Sequence, residues 1–521
     1  MRYAGWLLLV FILAVVPLIF PEAVYAETRQ ELTQEKVKAA LPELEKIVEK
    51  AMKDSGIPGM AIAVVYKDQT IYLKGFGVRE AGKTETVDAD TVFQIASMSK
   101  PIASTVLAAL VSKKVITWDD RIVDLDPSFQ MYDPWVTQNV TLRDLFSHRS
   151  GLPEFAGDQL EDMGYDRNEI LRRLRYEKPG SSFRSHYAYT NFSLTEAAVA
   201  AARAAGKPWE EVAAENLYKP LGMKSTSSRF EDVATAGNRA LLHVLIEGKW
   251  VSKYTRNADA QSPAGGVSST VRDLAQWMRL QLGNGLFEGK QIIDATAIAE
   301  THSPVIVNKA PADPGKDRAG FYALGWGVSY DDKGRIRLSH SGAFSNGAAT
   351  SVTLIPSEEL GITVLTNAAP IGIPEAVTFS FIDLVHLGKV EKDWFALFKQ
   401  IFDAMFKAMA GDEPDYSKLP AQPLHSLPAD AYAGTYRNEY FGDIKILVKD
   451  RGLAVQLGPK KTLYTLTHYD RDVFIYQPEG ETAGSLSGII FQIGPNQKAE
   501  TVVIKALNKR GHGTFIRVSN Q

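Results

Sequence analysis

Ser97 and Lys100 stand three positions apart at what reads as the start of a helix, a spacing that puts a hydroxyl and an amine on one face. A serine is a poor nucleophile at neutral pH until a neighbouring base takes its proton. A lysine can be that base when a desolvated or cationic setting lowers its pKa. Ser97-Met98-Ser99-Lys100 is the single Ser-x-x-Lys in the chain of 521 residues, and the chemistry it offers is acyl transfer. Two further triplets hold suitable partners. Tyr189-Thr190-Asn191 supplies a phenol that can shuttle a proton once cations lower its pKa. It also supplies an amide able to hold a lysine and a substrate amide together. His340-Ser341-Gly342 ends a predicted strand, where an extended substrate could add by main-chain hydrogen bonds and a glycine permits close approach. Taken singly, each triplet has a plain structural explanation, and a second Tyr-x-Asn, Tyr436-Arg437-Asn438, is expected to be structural.

The elements that must position these groups follow from periodicity. Thr33 to Ser55 carries Val37, Leu41, Leu44, Ile47, Val48 and Met52 at helical spacing, with Pro42 expected to kink or split the helix. Met60–Tyr66 and Thr70–Gly77 read as a hairpin. Residues 97–112 form the next helix, with Pro101 tolerated in its first turn. From 117 to 300 the pattern is mostly helical. Strands return at Gly325–Val328, Ile336–His340, Ala348–Ile355 and Gly361–Thr366. The expected fold is α+β: an antiparallel sheet flanked by helices and assembled from both ends of residues 27–372.

Beyond it, 373–420 is helical and then proline-rich. Val390 to Ala410 bears a broad apolar stripe, and Pro414, Pro420, Pro423 and Pro428 mark a linker. That helix could lie on a membrane or cover the site. Its mixed-charge polar face favours packing on its own protein, because surface-seeking helices tend to be basic. Residues 421–521 alternate short β-branched and aromatic runs with turn residues, the pattern of an all-β sandwich or barrel.

The three motifs, in this order, resemble those of the penicillin-recognising serine hydrolases, in the class C β-lactamase-like branch. The resemblance spans roughly residues 30–370. Thr141–Pro153, Leu217–Met223, Pro263–Thr270 with Asp273-Leu274, and Gly325-Trp326-Gly327 are similar to further family segments. It implies a β-lactamase/transpeptidase-like sheet, Ser97 as nucleophile, Lys100 as proton acceptor or electrostatic partner, and Tyr189 as general base and acid. Asn191, His340, Ser341, Gly342 and Ala343 would bind substrate, with the oxyanion held by the N–H groups of Ser97 and Ala343. His148 and Ser150 match a family segment in a buried structural role. Histidine at 340, where β-lactamases carry a lysine, resembles the peptidase and esterase members instead.

Composition narrows the alternatives. A net charge of -3 argues against a nucleic-acid surface. The chain has no cysteine, which removes disulfides and a thiol nucleophile. It also has no Gly-x-Ser-x-Gly elbow and no zinc motif, so neither metal nor cofactor is expected. Gly77–Thr84 fits the phosphate-loop pattern but lacks a following helical period, which makes nucleotide binding a remote alternative. Arg2, the apolar run Trp6–Phe20 and Val24-Tyr25-Ala26 read as a signal peptide over 1–26, with export to periplasm or outside; an uncleaved anchor is the alternative. The expected activity is a peptidase or amidase on D-alanyl or other short peptides, near cell wall or membrane. Carboxylesterase, weak β-lactamase and an acylatable sensor with little turnover are the alternatives.

Overall fold

The computed structural model describes residues 31–410, 414–449, 452–481, 483 and 485–518. The expected signal peptide lies outside the described residues. Helix α1 (Gln34–Ser55) starts where the Thr33 side chain accepts the Lys36 N–H and stops at left-handed Gly56. Pro42 sits inside it without dividing it, contrary to the expected break. Its missing N–H costs one backbone bond, whereas Val37, Ala40, Leu44, Val48 and Ala51 stay buried in one stripe on both sides of it.

The hairpin β1 (Gly59–Tyr66) and β2 (Gln69–Gly77) joins an eight-stranded antiparallel sheet. Helices α2 (Ser99–Ser112), α3 (Asn191–Ala204) and α4 (Val271–Leu282) follow. The remaining strands are β3 (Ile306–Lys309), β4 (Gly320–Tyr322), β5 (Gly327–Tyr330), β6 (Ile336–Phe344), β7 (Ala348–Ile355) and β8 (Leu360–Thr366). Their order is β2-β1-β8-β7-β6-β5-β4-β3, so the chain's two halves meet where β1 pairs with β8. β1, β7 and β8 are buried on both faces, which is why they read as continuous apolar runs. On one face α1 and α5 (Ile373–Leu387) close a core of Leu44, Val48, Ile62, Val364 and Phe381. On the other, α2 and α4 pack with Trp277 stacked on Trp326, centroids 5.4 Å apart.

Gly77–Thr84 forms a loop with no helix attached to it, so a phosphate loop has no helix N-terminus to work with. Helix α6 (Trp394–Ala410) seats Trp394 and Phe398 on Phe379 of α5, at 4.9 and 5.3 Å, as expected for a helix packed on its own protein.

The C-terminal part of the fold is a closed barrel of eight antiparallel strands: β9 (Gly434–Asn438), β10 (Gly442–Lys449), β11 (Gly452–Leu457), β12 (Thr462–Asp470), β13 (Val473–Tyr476), β14 (Ser487–Ile493), β15 (Ala499–Ile504) and β16 (Thr514–Arg517). Closure leaves no free edge, and Tyr432, Phe474 and Phe491 pack ring on ring inside it. Tyr436 donates to the Tyr432 carbonyl and Asn438 to the carbonyls of His512 and Thr514, so the second Tyr-x-Asn is internal to the barrel. The proline-rich stretch is strapped to the barrel: Arg471 N–H donates to Leu424, and Tyr469 to the Lys418 carbonyl. The apolar core runs from the helical layer into the barrel through Tyr440 and Phe441 without a break.

One polar knot fixes the segment leading to the site. The fully buried Asp144 carboxylate accepts from Arg149 at 2.8 Å, from Arg184 at 2.8 and 2.9 Å, and from Thr141 in a capping box. These partners hold it below the ordinary carboxylate range despite burial. Asp144→Ala leaves the arginines facing a desolvated void and is expected to cost about 3–5 kcal/mol, read as a lower urea midpoint at unchanged slope.

Candidate active site

Ser97 lies on the single 3₁₀ turn Ala96–Met98 that opens into α2. Ala96 has φ of 47°, a left-handed conformation that is strained for a residue with a side chain. The segment Pro263–Thr270 splints this turn. Ile95 N–H donates to the Val267 carbonyl at 3.0 Å, Val267 N–H to Ser99 Oγ at 2.9 Å, and the Ser99 hydroxyl to the Ala96 carbonyl at 2.7 Å. A three-residue period stacks positions i and i+3. Lys100 Nζ accordingly sits 3.1 Å from Ser97 Oγ, 2.7 Å from Asn191 Oδ1 and 2.9 Å from the Ala264 carbonyl, fully buried. Burial brings its pKa down to about 7, with Asp158 pulling the other way.

Tyr189 ends the loop that enters α3, with Lys100 Nζ 4.5 Å from its ring centre and its phenol in hydrogen-bonding interaction with Ser97. Burial drives this phenol above its ordinary range, and only the Ser97 contact opposes it. The depressed phenol expected from the sequence therefore does not form, because the phenol's own burial outweighs the stabilisation its neighbours give the phenolate. His148 supports the loop: its Nδ1 accepts the Thr190 N–H at 3.2 Å and its ring packs 4.7 Å from that of Tyr189. Burial holds it neutral, well below the usual histidine range. Ser150 Oγ accepts the Leu152 N–H in a turn.

The third motif is inside β6, which runs on to Phe344 instead of ending at His340. Pairing with β5 stops at Ser339, while β7 continues alongside through Phe344. Residues 340–344 thus keep one partner and leave the other edge toward the cleft. Alternation places His340 and Gly342 on the Ser97 side and Ser341 on the opposite face. The Ser341 side chain interacts with Glu375 of α5, so only its main chain belongs to the cleft. His340 Nδ1–H donates to the Ser341 carbonyl at 2.8 Å, leaving Nε2 to accept from the Tyr322 hydroxyl at 3.0 Å. Burial pushes it down to about 3, hence neutral. A Cβ on Gly342 would collide with the Ile95 carbonyl and the Thr350 hydroxyl and lie 3.1 Å from Met98 N. The strand and the Ser97 turn touch backbone to backbone there. Ala343 follows on the same edge.

The profile of the family described as Beta-lactamase matches residues 44–384, well over half of the chain. The chain belongs to the β-lactamase family. Residues 418–514, the barrel, match a family described as "Domain of unknown function (DUF3471)". Among curated relatives, "Unguisins hydrolase ungD'" of Aspergillus campestris is 27% identical over 479 residues, covering 86% of each chain. "D-alanyl-D-alanine-carboxypeptidase/endopeptidase AmpH" of Escherichia coli is 25% identical over 61% of this chain and 81% of its own. "Penicillin-binding protein 4" of Amycolatopsis lactamdurans is 26% identical over 74% and 94%. The octameric penicillin-binding protein homologue of Pyrococcus abyssi superposes with a TM-score of 0.57 at 18% identity, covering 92% of this chain and all of its own. A class C β-lactamase of Rhodobacter sphaeroides gives 0.55 at 21%, covering 67% and 99%.

This β-lactamase-family site also contains residues the motifs did not announce. Asp158 Oδ2 accepts from Asn191 Nδ2 at 2.9 Å, which turns Asn191 Oδ1 toward Lys100. Burial raises the Asp158 carboxyl to about 7. Tyr322, on a three-residue strand, orients His340, and Phe155 packs its ring 5.8 Å from Tyr189. Nothing in the local pattern around these residues separates them from ordinary loop residues. Gly342→Ala is expected to keep the fold but push β6 off the Ser97 turn, lowering kcat/KM by about 10². Steady-state kinetics on p-nitrophenyl butyrate and a D-Ala-D-Ala peptide would measure it, and an unchanged value would place the strand farther from Ser97.

Proposed function

We propose that this protein is an acyl-enzyme serine hydrolase acting on amide bonds of short peptides, with D-alanyl peptides as the leading candidates. The carrying observation is the buried Lys100 amine 3.1 Å from Ser97 Oγ, with Tyr189 beside both. With a pKa of about 7 the amine is substantially neutral at physiological pH and can take the serine proton. Ser97 Oγ then bonds to the substrate carbonyl carbon, and the oxygen that becomes negative is received by the N–H groups of Ser97 and Ala343. As the carbon–nitrogen bond breaks, the leaving amine takes a proton from the protonated Tyr189 phenol or from Lys100. Water then attacks the ester at Ser97, returning the proton by the same route and releasing the acid. Asn191 positions substrate and lysine together.

The open edge of β6 suits an extended peptide, and two relatives carry peptidase or penicillin-binding names. The neutral His340 favours a second reading, a carboxylesterase. Without a fixed cation there, a substrate carboxylate gains little, and efficient β-lactam hydrolysis is not expected. An acylatable sensor that turns over slowly would share the same first step. Export, guided by residues 1–26, would bring the enzyme to such peptides.

Ser97→Ala is expected to abolish turnover and covalent labelling by fluorophosphonates. A panel comparing p-nitrophenyl butyrate with D-Ala-D-Ala peptides separates peptidase from esterase, and undiminished hydrolysis by the purified variant would overturn the assignment. Because the base must be unprotonated, the acylation rate is expected to climb as pH rises through about 7 and then level off. A rate independent of pH across that range would remove Lys100 from the role.

A further inference from the structure

Among its contacts with the catalytic layer, the barrel meets the turn at 154–157 and the start of the short helix Asp158–Asp162, a segment that carries Phe155 and Asp158. Gly157 N–H donates to the Tyr440 hydroxyl oxygen at 2.9 Å, and Gln159 donates to the Ala506 carbonyl at 2.6 Å. The Arg510 guanidinium donates to the carbonyls of Glu154 and Phe155. Tyr440 is itself buried and hydrogen-bonded to Glu177, whose carboxylate also lies 2.9 Å from His512 Nε2. From the other side, Arg173 and Tyr165 donate to the carbonyls of Tyr440 and Phe441 at 2.6 and 2.8 Å. The loop needs this support. Gly157 has φ of 96° with the Phe192 ring where a Cβ would be, and Phe155 has φ of 57°. Among the described residues Asp158 Oδ1 has no hydrogen-bond partner, so its carboxyl is held through Oδ2 and the backbone alone.

We propose that the C-terminal barrel is a working part of the active site: Tyr440, Ala506 and Arg510 clamp the loop so that Asp158 fixes the Asn191 amide, and through it the Lys100 amine, against Ser97. Asp158 is thus a positioning residue, and the barrel's function is to preorganise the acylating centre. Asp158 also sets the charge balance around Lys100. The groups facing that amine are Asp158, the phenol of Tyr189, and His148 and His340, both held neutral by burial. Asp158 in turn faces Glu161, Lys100 and Arg510. Its ionised form favours the ammonium, and with its own carboxyl raised to about 7 by burial the two groups titrate together, so its removal should shift proton loss from Lys100 to lower pH.

This inference rests on the acyl-enzyme reading, and the experiment separates the two. The full chain is labelled with a fluorophosphonate, the modified residue is found by mass spectrometry, and labelling rates are followed from about pH 5.5 to 9. Tyr440→Phe with Arg510→Ala is expected to slow Ser97 labelling about tenfold while circular dichroism stays unchanged. Asp158→Ala should lose more than Asp158→Asn, whose amide oxygen still accepts from Asn191. Asp158→Asn should also move the acidic limb down by about 0.5–1 pH unit, which a purely structural role would leave in place. If the barrel pair fails to fold, Tyr440→Phe alone and the Asp158 variants decide. Ser97 labelling at the wild-type rate in the folded barrel variants, or an unmoved limb in Asp158→Asn, overturns the inference alone. Wild-type labelling at a residue other than Ser97 overturns the acyl-enzyme reading and the inference with it.

Discussion

The site depends on keeping the amine of Lys100 out of water. An ordinary lysine is an ammonium ion at neutral pH and has no lone pair to offer a serine. Here the amine is enclosed by Ser97, Asn191, the Ala264 carbonyl and the Tyr189 ring, with no carboxylate in direct contact. Lowering the pKa from 10.5 to about 7 corresponds to roughly 5 kcal/mol of preference for the neutral form. The enclosure needs α2, the loop before α3, the splint at 263–267 and the strand β6, and no two of these are neighbours in sequence. Most of the fold serves to bring them together. The doubly buried strands give a rigid floor, the Asp144 knot fixes the segment beneath Tyr189, and Gly342 lets the substrate strand meet the nucleophile turn.

The polar groups around the amine form one chain of dependence. Lys100 leans on Asn191, Asn191 on Asp158, and Asp158 on a loop whose left-handed residues are pinned by the barrel. The first two links are single hydrogen bonds in a buried setting, where orientation matters more than strength. The barrel and the hydrolase layer also share one apolar core, so the C-terminal region is built into the catalytic unit and not merely tethered to it.

Much of this was legible in the sequence, and the limits have physical causes. Ser97, Lys100 and Tyr189, which the structure brings together, were visible because the proposed chemistry demands particular residue types at particular spacings. The central strands were visible because burial on both faces writes a continuous apolar run. β3 and β4 were not, since short edge strands such as Ile306–Lys309 are half-exposed and lack that run. The third motif was read as the end of a strand that in fact continues to Phe344, because Gly342 and Ala343 carry no apolar run to extend it. Pro42 was given too much weight against the tertiary packing of a 22-residue helix. The direction of the Tyr189 shift required knowing that the phenol itself is fully enclosed, and Asp158 carries no local signature at all.

The most direct test is the protonation of that single amine, observed without turnover. Nitrogen-15 lysine labelling with Lys100→Arg as the assignment control would follow the Lys100 Nζ resonance through a pH titration of the resting protein. A midpoint near 7 is the result predicted here. A midpoint of about 10, that of an ordinary lysine, would mean that the amine is hydrated and charged, and it would contradict the account at its base.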